Sequence, residues 1–195
     1  MKHLLITGFD PFGGESVNPS WMAVNQLPDQ IGEWKLTKLQ IPTIFGTAAE
    51  SVLSTASSTQ PDVILCIGQA GGRNAVTPEV VAINLREARI PDNAGQQPVN
   101  TPVVEGGPAA YFSTVPAREM ITAISNIGLP ASLSYSAGVF VCNDVLYTLL
   151  HYFRNTPTRV GFIHVPYLPQ QAKDNTPSMS LEHIIQALTA AIGVL

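Results

Sequence analysis

A chain of 195 residues is long enough to bury a sizeable core, and the lack of any composition break predicts one domain over residues 1–195. Ten basic and fourteen acidic residues give a formal net charge of -4, with the basic ones scattered, which argues against nucleic acid as a partner. Two cysteines without metal-ligand spacing argue against a disulfide framework or a zinc cluster.

Only 12% of the residues are charged, about half the usual share, so part of the surface is expected to be buried between subunits. The apolar stretch before Gly8 is too short for a secretory signal core and no window approaches a membrane span. A cytoplasmic protein with no membrane partner is expected.

His3 to Thr7 is an apolar run of strand length that ends at Gly8, and the loop after it carries Phe9, Phe12, Gly13 and Gly14. The spacing Gly8-x4-Gly13 begins like a phosphate loop. Gly14-Glu15, however, stands where Lys-Ser/Thr is needed, and an acidic side chain repels phosphate, so no nucleotide cofactor is expected. The two phenylalanines either pack beneath the loop or wall an apolar ligand pocket.

Asn18 and Pro19 predict a helix start, with the helix running to Leu27 ahead of Pro28. Trp34 to Ile41 alternates as a strand does, and Gly46 to Ser57 places Ala48, Ala49, Val52 and Leu53 at helical spacing. Pro61 to Gly68 is a continuous apolar run, the pattern of a central strand covered on both faces, with Cys66 in the core. This alternation predicts an α/β fold with a layered sheet, whose sites lie beyond the carboxyl ends of the strands.

A glycine-rich loop from Gly68 to Arg73 leads into an extended segment, Val76 to Leu85, in which Glu79 stands among valines. A carboxylate there either points to solvent or has a cationic partner. Residues 86–108 are rich in turn formers and have no periodicity, and a loop of that length is a functional or assembly element. Thr114 to Ile127 reads as a helix with Pro116 in its first turn and Gly128 beyond its end. Ala131 to Tyr135 reads as a strand that breaks at Ala137-Gly138. Helical periodicity then begins at Cys142 and runs to Phe153, Val160 to Val165 is a further strand, and Ser178 to Ile192 is a closing helix.

A thiol at a helix N-terminus meets unpaired N–H groups and the positive end of the dipole, which favour a thiolate. Beside Val139, Phe140 and Val141, a free cysteine is equally a small buried hydrophobe. Of the four histidines only His164 lies at the far end of a late strand, the edge to which Cys142 is also delivered if the sheet is mainly parallel. Such a pair suits thiol acyl transfer, in which imidazole takes the thiol proton and later protonates the leaving amine.

Five motifs in order carry a family resemblance. They are Gly8-Phe-Asp-Pro-Phe-Gly-Gly with Asn18-Pro-Ser, Gly68-Gln-Ala-Gly-Gly-Arg through Thr77-Pro-Glu79-Val-Val-Ala-Ile-Asn84, Ala88-Arg-Ile-Pro-Asp-Asn-x-Gly95, Ser134-x-x-Ala-Gly-Val-Phe-Val-Cys142-Asn, and Phe162-Ile-His164-Val-Pro. Over nearly its whole length the chain resembles the pyrrolidone-carboxylate peptidases, or pyroglutamyl peptidases I.

The resemblance implies a three-layer α/β/α sandwich with a mainly parallel, mixed twisted sheet. It also implies a homotetramer, no cofactor or metal, and a cysteine peptidase that removes an N-terminal pyroglutamyl residue from peptides. Cys142, His164 and Glu79 would be its triad. Phe9, Phe12, Ile90, Phe140 and Val141 would be apolar pocket walls, Asn18 and Gln69 polar contacts. A small, flat, uncharged lactam suits an apolar slot with a few amide hydrogen bonds.

Arg89 is the candidate side chain for assisting the oxyanion, with Arg73 as the alternative. Val80 departs from the family pattern of Arg or Lys after the glutamate, which puts a neighbouring ion pair in doubt. A catalytically idle lactam-peptide binder and another thiol amidase on the same scaffold are the competing readings.

Overall fold

Leu4, Leu5 and Ile6 are all fully buried, so strand β1 (Lys2–Phe9) is covered on both faces, as a parallel central strand requires. The computed structural model describes residues 1–195. The elements after β1 are α1 (Pro19–Gln26), β2 (Gln30–Ile31), β3 (Trp34–Ile41), α2 (Thr47–Thr59), β4 (Val63–Gln69), β5 (Thr77–Pro78), β6 (Val81–Ile83), β7 (Ala110–Phe112), α3 (Ala117–Asn126), α4 (Val141–Phe153), β8 (Arg159–Val165) and α5 (Leu181–Ile192). No helix is long and apolar enough to cross a membrane.

Six strands form one sheet in the order β2-β3-β1-β4-β8-β5. The four middle strands are parallel and the short edges β2 and β5 run antiparallel to their neighbours. Side chains of alternating residues serve two cores. Leu4, Ile6, Leu65 and Ile67 meet Val24 of α1, Met120 of α3 and Leu188 of α5, whereas Leu5, Ile64, Cys66 and Phe162 meet Val52 of α2 and Leu146 of α4. The expected three-layer α/β/α arrangement results, with the site at the carboxyl end of the middle strands.

Some boundaries differ from the sequence reading. β1 continues through Gly8 to Phe9, because the glycine serves close packing rather than a turn. A Cβ there would lie 2.6 Å from the backbone of Trp21 in α1. Pro116 is the N-cap of α3 and not part of its first turn. Ala131 to Tyr135 is not a strand and meets the sheet edge only at the bridges Val76↔Ala131 and Glu79↔Ser134. Its partner β5 is two residues long and contains Pro78, which has no N–H to extend a ladder. Cys142 is therefore delivered by a loop, not by a strand.

The 86–108 stretch is tied down by its own polar side chains, and just beyond it Ala110–Phe112 forms β7, which pairs with β6. The Asp92 carboxylate accepts from the Phe45, Ala94 and Gln96 N–H groups at 2.9, 2.9 and 2.8 Å. Asn93 Nδ2 donates to Pro11 O at 2.9 Å, joining this stretch to the loop after β1. Arg86 Nε meets Asp144 Oδ1 at 2.6 Å, and Asp144 Oδ2 accepts from Gly46 N at 2.9 Å, so one buried carboxylate links this stretch, α4 and the entry to α2.

Candidate active site

In the parallel β4–β8 ladder Gly68 stands opposite His164 and Cys66 opposite Phe162. The His164 and Phe162 rings lie on one face, with centroids 4.8 Å apart. Above that face begins α4, whose N-cap Phe140 is extended and offers no side-chain cap. The N–H groups of Val141, Cys142 and Asn143 thus have no acceptor within the helix and make no other backbone bond. Asn143 anchors this turn, accepting from Ile83 N at 2.9 Å and donating to Ile83 O at 2.9 Å and Leu85 O at 3.1 Å.

A Cβ built on Gly68 would lie 3.1 Å from Cys142 Sγ, so the sulfur occupies the space the missing side chain leaves, at the level of His164. The residue keeps some contact with solvent. Burial of the sulfur, reinforced by the Glu79 carboxylate and by Cys66, nevertheless pushes its pKa well above the ordinary thiol value, and Arg73 opposes this only in part. The surroundings thus favour the thiol form of Cys142 over its anion. The preference for thiolate expected at a helix N-terminus is outweighed by the loss of water.

Glu79 follows β5 directly, is fully buried, and donates its N–H to Phe162 O at 2.9 Å. Of the two settings expected for this carboxylate, solvent or a cationic partner, the second holds. Oε1 meets His164 Nδ1 at 2.7 Å and Arg73 Nη1 at 2.8 Å, while Oε2 is buried with no hydrogen-bond partner. The Ser134 hydroxyl lies close enough to favour the anion, yet it donates to Ser136 O at 3.2 Å. Burial pushes the Glu79 carboxyl up, but the His164 hydrogen bond, with Arg73 and Ser134, outweighs this and holds it below the ordinary value.

An ionised carboxylate can only accept, so Nδ1 carries the shared proton and Nε2 of the neutral ring is left as a base. Burial lowers the His164 pKa, Glu79 raises it and Arg73 lowers it again, with a net downward shift.

The other residues singled out in the sequence separate into groups. The Phe12 ring lies 6.1 Å from Phe140, which packs edge-on against Phe45 at 5.2 Å, and Ile90 is 45% exposed near Gly13. Phe12, Phe140 and Ile90 form an apolar rim around the loop after β1, with Phe45 behind Phe140.

Phe9 lies deeper than these rim residues. It is only 2% exposed and packs against Phe162 at 6.3 Å, so any ligand would meet it at the floor of the site rather than at the rim. The Val141 side chain is fully buried in the core beside the site, and its N–H is among those without an acceptor at the head of α4. The Asn18 side chain caps α1, accepting from Ser20 N and Oγ at 3.0 and 2.8 Å and donating to Asp10 O at 3.0 Å, which leaves one Nδ2 hydrogen uncommitted. Gln69 Oε1 accepts from Gln171 Nε2 at 3.0 Å, and the Gln69 amide nitrogen makes no hydrogen bond within the chain.

Arg89 is exposed and its guanidinium has no partner within the chain, whereas Arg73 is committed to Glu79, Thr77 and Ser136 and is not free to serve an oxyanion. Phe45 and Gln171 lie outside every motif named in the sequence, and Asn143 stands in one only as the neighbour of Cys142, with nothing there to show that it ties α4 to β6.

A thiol at the head of a helix and a histidine held by a buried carboxylate, both at the carboxyl end of a sheet covered by helices on both faces, are the groups of an α/β cysteine peptidase. The chain belongs to the pyroglutamyl peptidase family, whose members remove N-terminal pyroglutamate. A model of that family matches residues 2–195.

The chain is 52% identical over 189 residues to a pyrrolidone-carboxylate peptidase of Enterococcus faecalis, covering 95% of this chain and 89% of that one. It is 49% identical to one of Erwinia tasmaniensis, covering 100% and 92%. Among solved structures it superimposes on pyroglutamyl peptidase I of Bacillus amyloliquefaciens with a TM-score of 0.96 at 47% identity, covering 100% of this chain and 96% of that one. For the pyrrolidone carboxyl peptidase of Thermococcus litoralis the TM-score is 0.95 at 37% identity, covering 100% and 93%.

Proposed function

We propose that the chain is a cysteine exopeptidase that cleaves the bond after an N-terminal pyroglutamyl residue, with Cys142, His164 and Glu79 as its triad. The observation that carries this reading is the 2.7 Å contact between His164 Nδ1 and Glu79 Oε1 in the strand register that puts Cys142 Sγ over Gly68. As the thiol attacks the pyroglutamyl carbonyl, Nε2 of His164 takes its proton and a C–S bond forms. The tetrahedral oxyanion is received by the free N–H groups at the start of α4, with Arg89 as the uncommitted side chain nearby in sequence to the rim.

The C–N bond then breaks as His164 returns the proton to the departing amine, leaving a thioester. Water, deprotonated by His164, hydrolyses the thioester and releases pyroglutamate and the thiol. The lactam ring fits the rim of Phe12, Ile90 and Phe140, with its carbonyl taking hydrogen bonds from the Gln69 amide nitrogen and the uncommitted Nδ2 hydrogen of Asn18.

The idle-binder reading rested on Val80, and Arg73 supplies the cation that Val80 does not. We further propose that one domain of 195 residues carries the whole activity, as a homotetramer in the cytoplasm. Exposed Phe112, Tyr135 and Tyr152 support an association surface. Incubation with a pyroglutamyl coumarin amide should release the fluorophore, and full turnover by Cys142→Ser protein would sink the mechanism. Turnover of amides that lack the lactam at a comparable rate would favour the general amidase.

A further inference from the structure

Two charge-assisted donors converge on one oxygen of Glu79. His164 Nδ1 and Arg73 Nη1 approach Oε1 at 2.7 and 2.8 Å, while buried Oε2 has no hydrogen-bond partner. A carboxylate has room for both donors on separate oxygens, so the shared oxygen reflects where the donors are held. Arg73 is held well. Nη1 also donates to Thr77 Oγ1 and Nη2 to Ser136 O at 3.2 Å, which fixes the guanidinium plane between the residue that opens β5 and the loop that leads to Cys142.

We infer that Arg73 is a positioning residue that acts through Glu79. It fixes which carboxylate oxygen meets His164 and, by sharing that oxygen, weakens its hold on an imidazolium, so that His164 stays neutral and able to take the Cys142 proton. This rests on the triad proposed above. The physical basis is competition for one acceptor. Every increment of negative charge drawn toward the guanidinium is unavailable to an imidazolium, and the guanidinium also repels that cation directly.

The groups facing His164 are few. The charged groups acting on it are Glu79, from the segment after β5, and Arg73, from the loop between β4 and β5, with the uncharged Phe162 on the same strand. Among these Arg73 is the one permanent cation. Its side chain remains 30% exposed along an open groove of about 480 Å³ lined also by Asn74, Ser132 and Ser136, a groove beside Glu79 rather than over the thiol. The partial exposure explains how the arginine stays charged without a second anion.

The test is the pH dependence of kcat/KM on a pyroglutamyl coumarin amide for wild type, Arg73→Met and Arg73→Lys. His164 titration by NMR in Cys142→Ser protein, with and without Arg73→Met, complements it. Removing the cation raises the His164 pKa, so the acid limb should move to higher pH by roughly one unit, and the NMR titration should move with it. Arg73→Lys keeps the charge, so its limb should stay near that of wild type even though kcat falls with the loss of the planar fork. Where Arg73→Met fails to fold, Arg73→Gln keeps a donor toward Glu79 without the charge and carries the same expectation.

A reduced kcat with an unmoved acid limb and an unmoved His164 titration would make Arg73 a structural prop and overturn the inference alone. Full turnover by His164→Ala protein would overturn the triad and the inference with it.

Discussion

Gly68 and Cys142 share one space, since a Cβ on the glycine would lie 3.1 Å from the sulfur and 2.7 Å from the Phe162 ring. The glycine is needed for what lies above it, not for its backbone, which is an ordinary strand in β4. Gly68→Ala should push the thiol off the His164 register or tilt Phe162. The cost should be about 1–3 kcal/mol of stability, with a loss in kcat of roughly a hundredfold. Thermal melts and steady-state kinetics check both, and wild-type kcat in a folded Gly68→Ala protein would contradict the placement.

Because the Cys142 thiol is held protonated by burial and by the Glu79 charge, its alkylation by iodoacetamide should keep rising with pH beyond the ordinary thiol range. The sign is that of an acid whose charged form is disfavoured, so reactivity is low at neutral pH without substrate. A plateau already reached below neutrality would mean a stable thiolate–imidazolium pair instead.

Glu79 links the site to acid stability. Its folded pKa lies below the ordinary 4.5, so the anion stabilises the fold above that pH, and the contribution disappears as pH falls through the folded value. Glu79→Gln should flatten the acid arm of stability against pH. At neutral pH it should cost about 2 kcal/mol, less than for a fully buried pair because Arg73 keeps access to water. Urea midpoints measured across the acid range decide this, and kcat should fall at least about a hundredfold as the imidazole loses its anion.

Asp144 is fully buried and joins Arg86 and the Gly46 N–H. Asp144→Ala strands the Arg86 charge and should lower stability by about 3 kcal/mol, or roughly 6–12 °C in melting temperature for a chain of this size. Limited proteolysis should then cut first within residues 86–108. Resistance equal to wild type would show that the Asp92 and Asn93 ties hold that segment unaided.

Phe9 and Phe12 should respond differently to truncation although they stand three residues apart. Phe12→Ala, at the partly exposed rim, should raise KM roughly tenfold or more with little change in melting temperature. Phe9→Ala, at a site 2% exposed, should cost about 3–5 kcal/mol of stability. Equal melting temperatures for the two variants would refute the division between rim and core.

Much of the architecture was legible in the residues. Apolar runs announced β1, β4 and β8 as strands, the run in β4 as one covered on both faces, and the spacing of Val145, Leu146, Leu149 and Leu150 announced α4. The segment 131–135 misled because its alternation resembles a strand while its partner, ending in Pro78, cannot sustain a ladder. The pair Phe9 and Phe12 looked alike because composition does not record that β1 runs on to residue 9.

By itself the sequence determined the strand and helix periods, the motifs of the family, and the presence of a cysteine, a histidine and a carboxylate in segments able to meet. The tertiary structure alone decided which side chains converge. Glu79 and His164 lie 85 positions apart, and Arg73 and Ser136 lie 63 apart. Periodicity states which face of an element is covered, but not what covers it. Whether Arg73 serves an oxyanion or the carboxylate, whether Asn18 is spent on a cap, and whether the Cys142 sulfur is thiol or thiolate all depend on distances across the sheet and on the water displaced there.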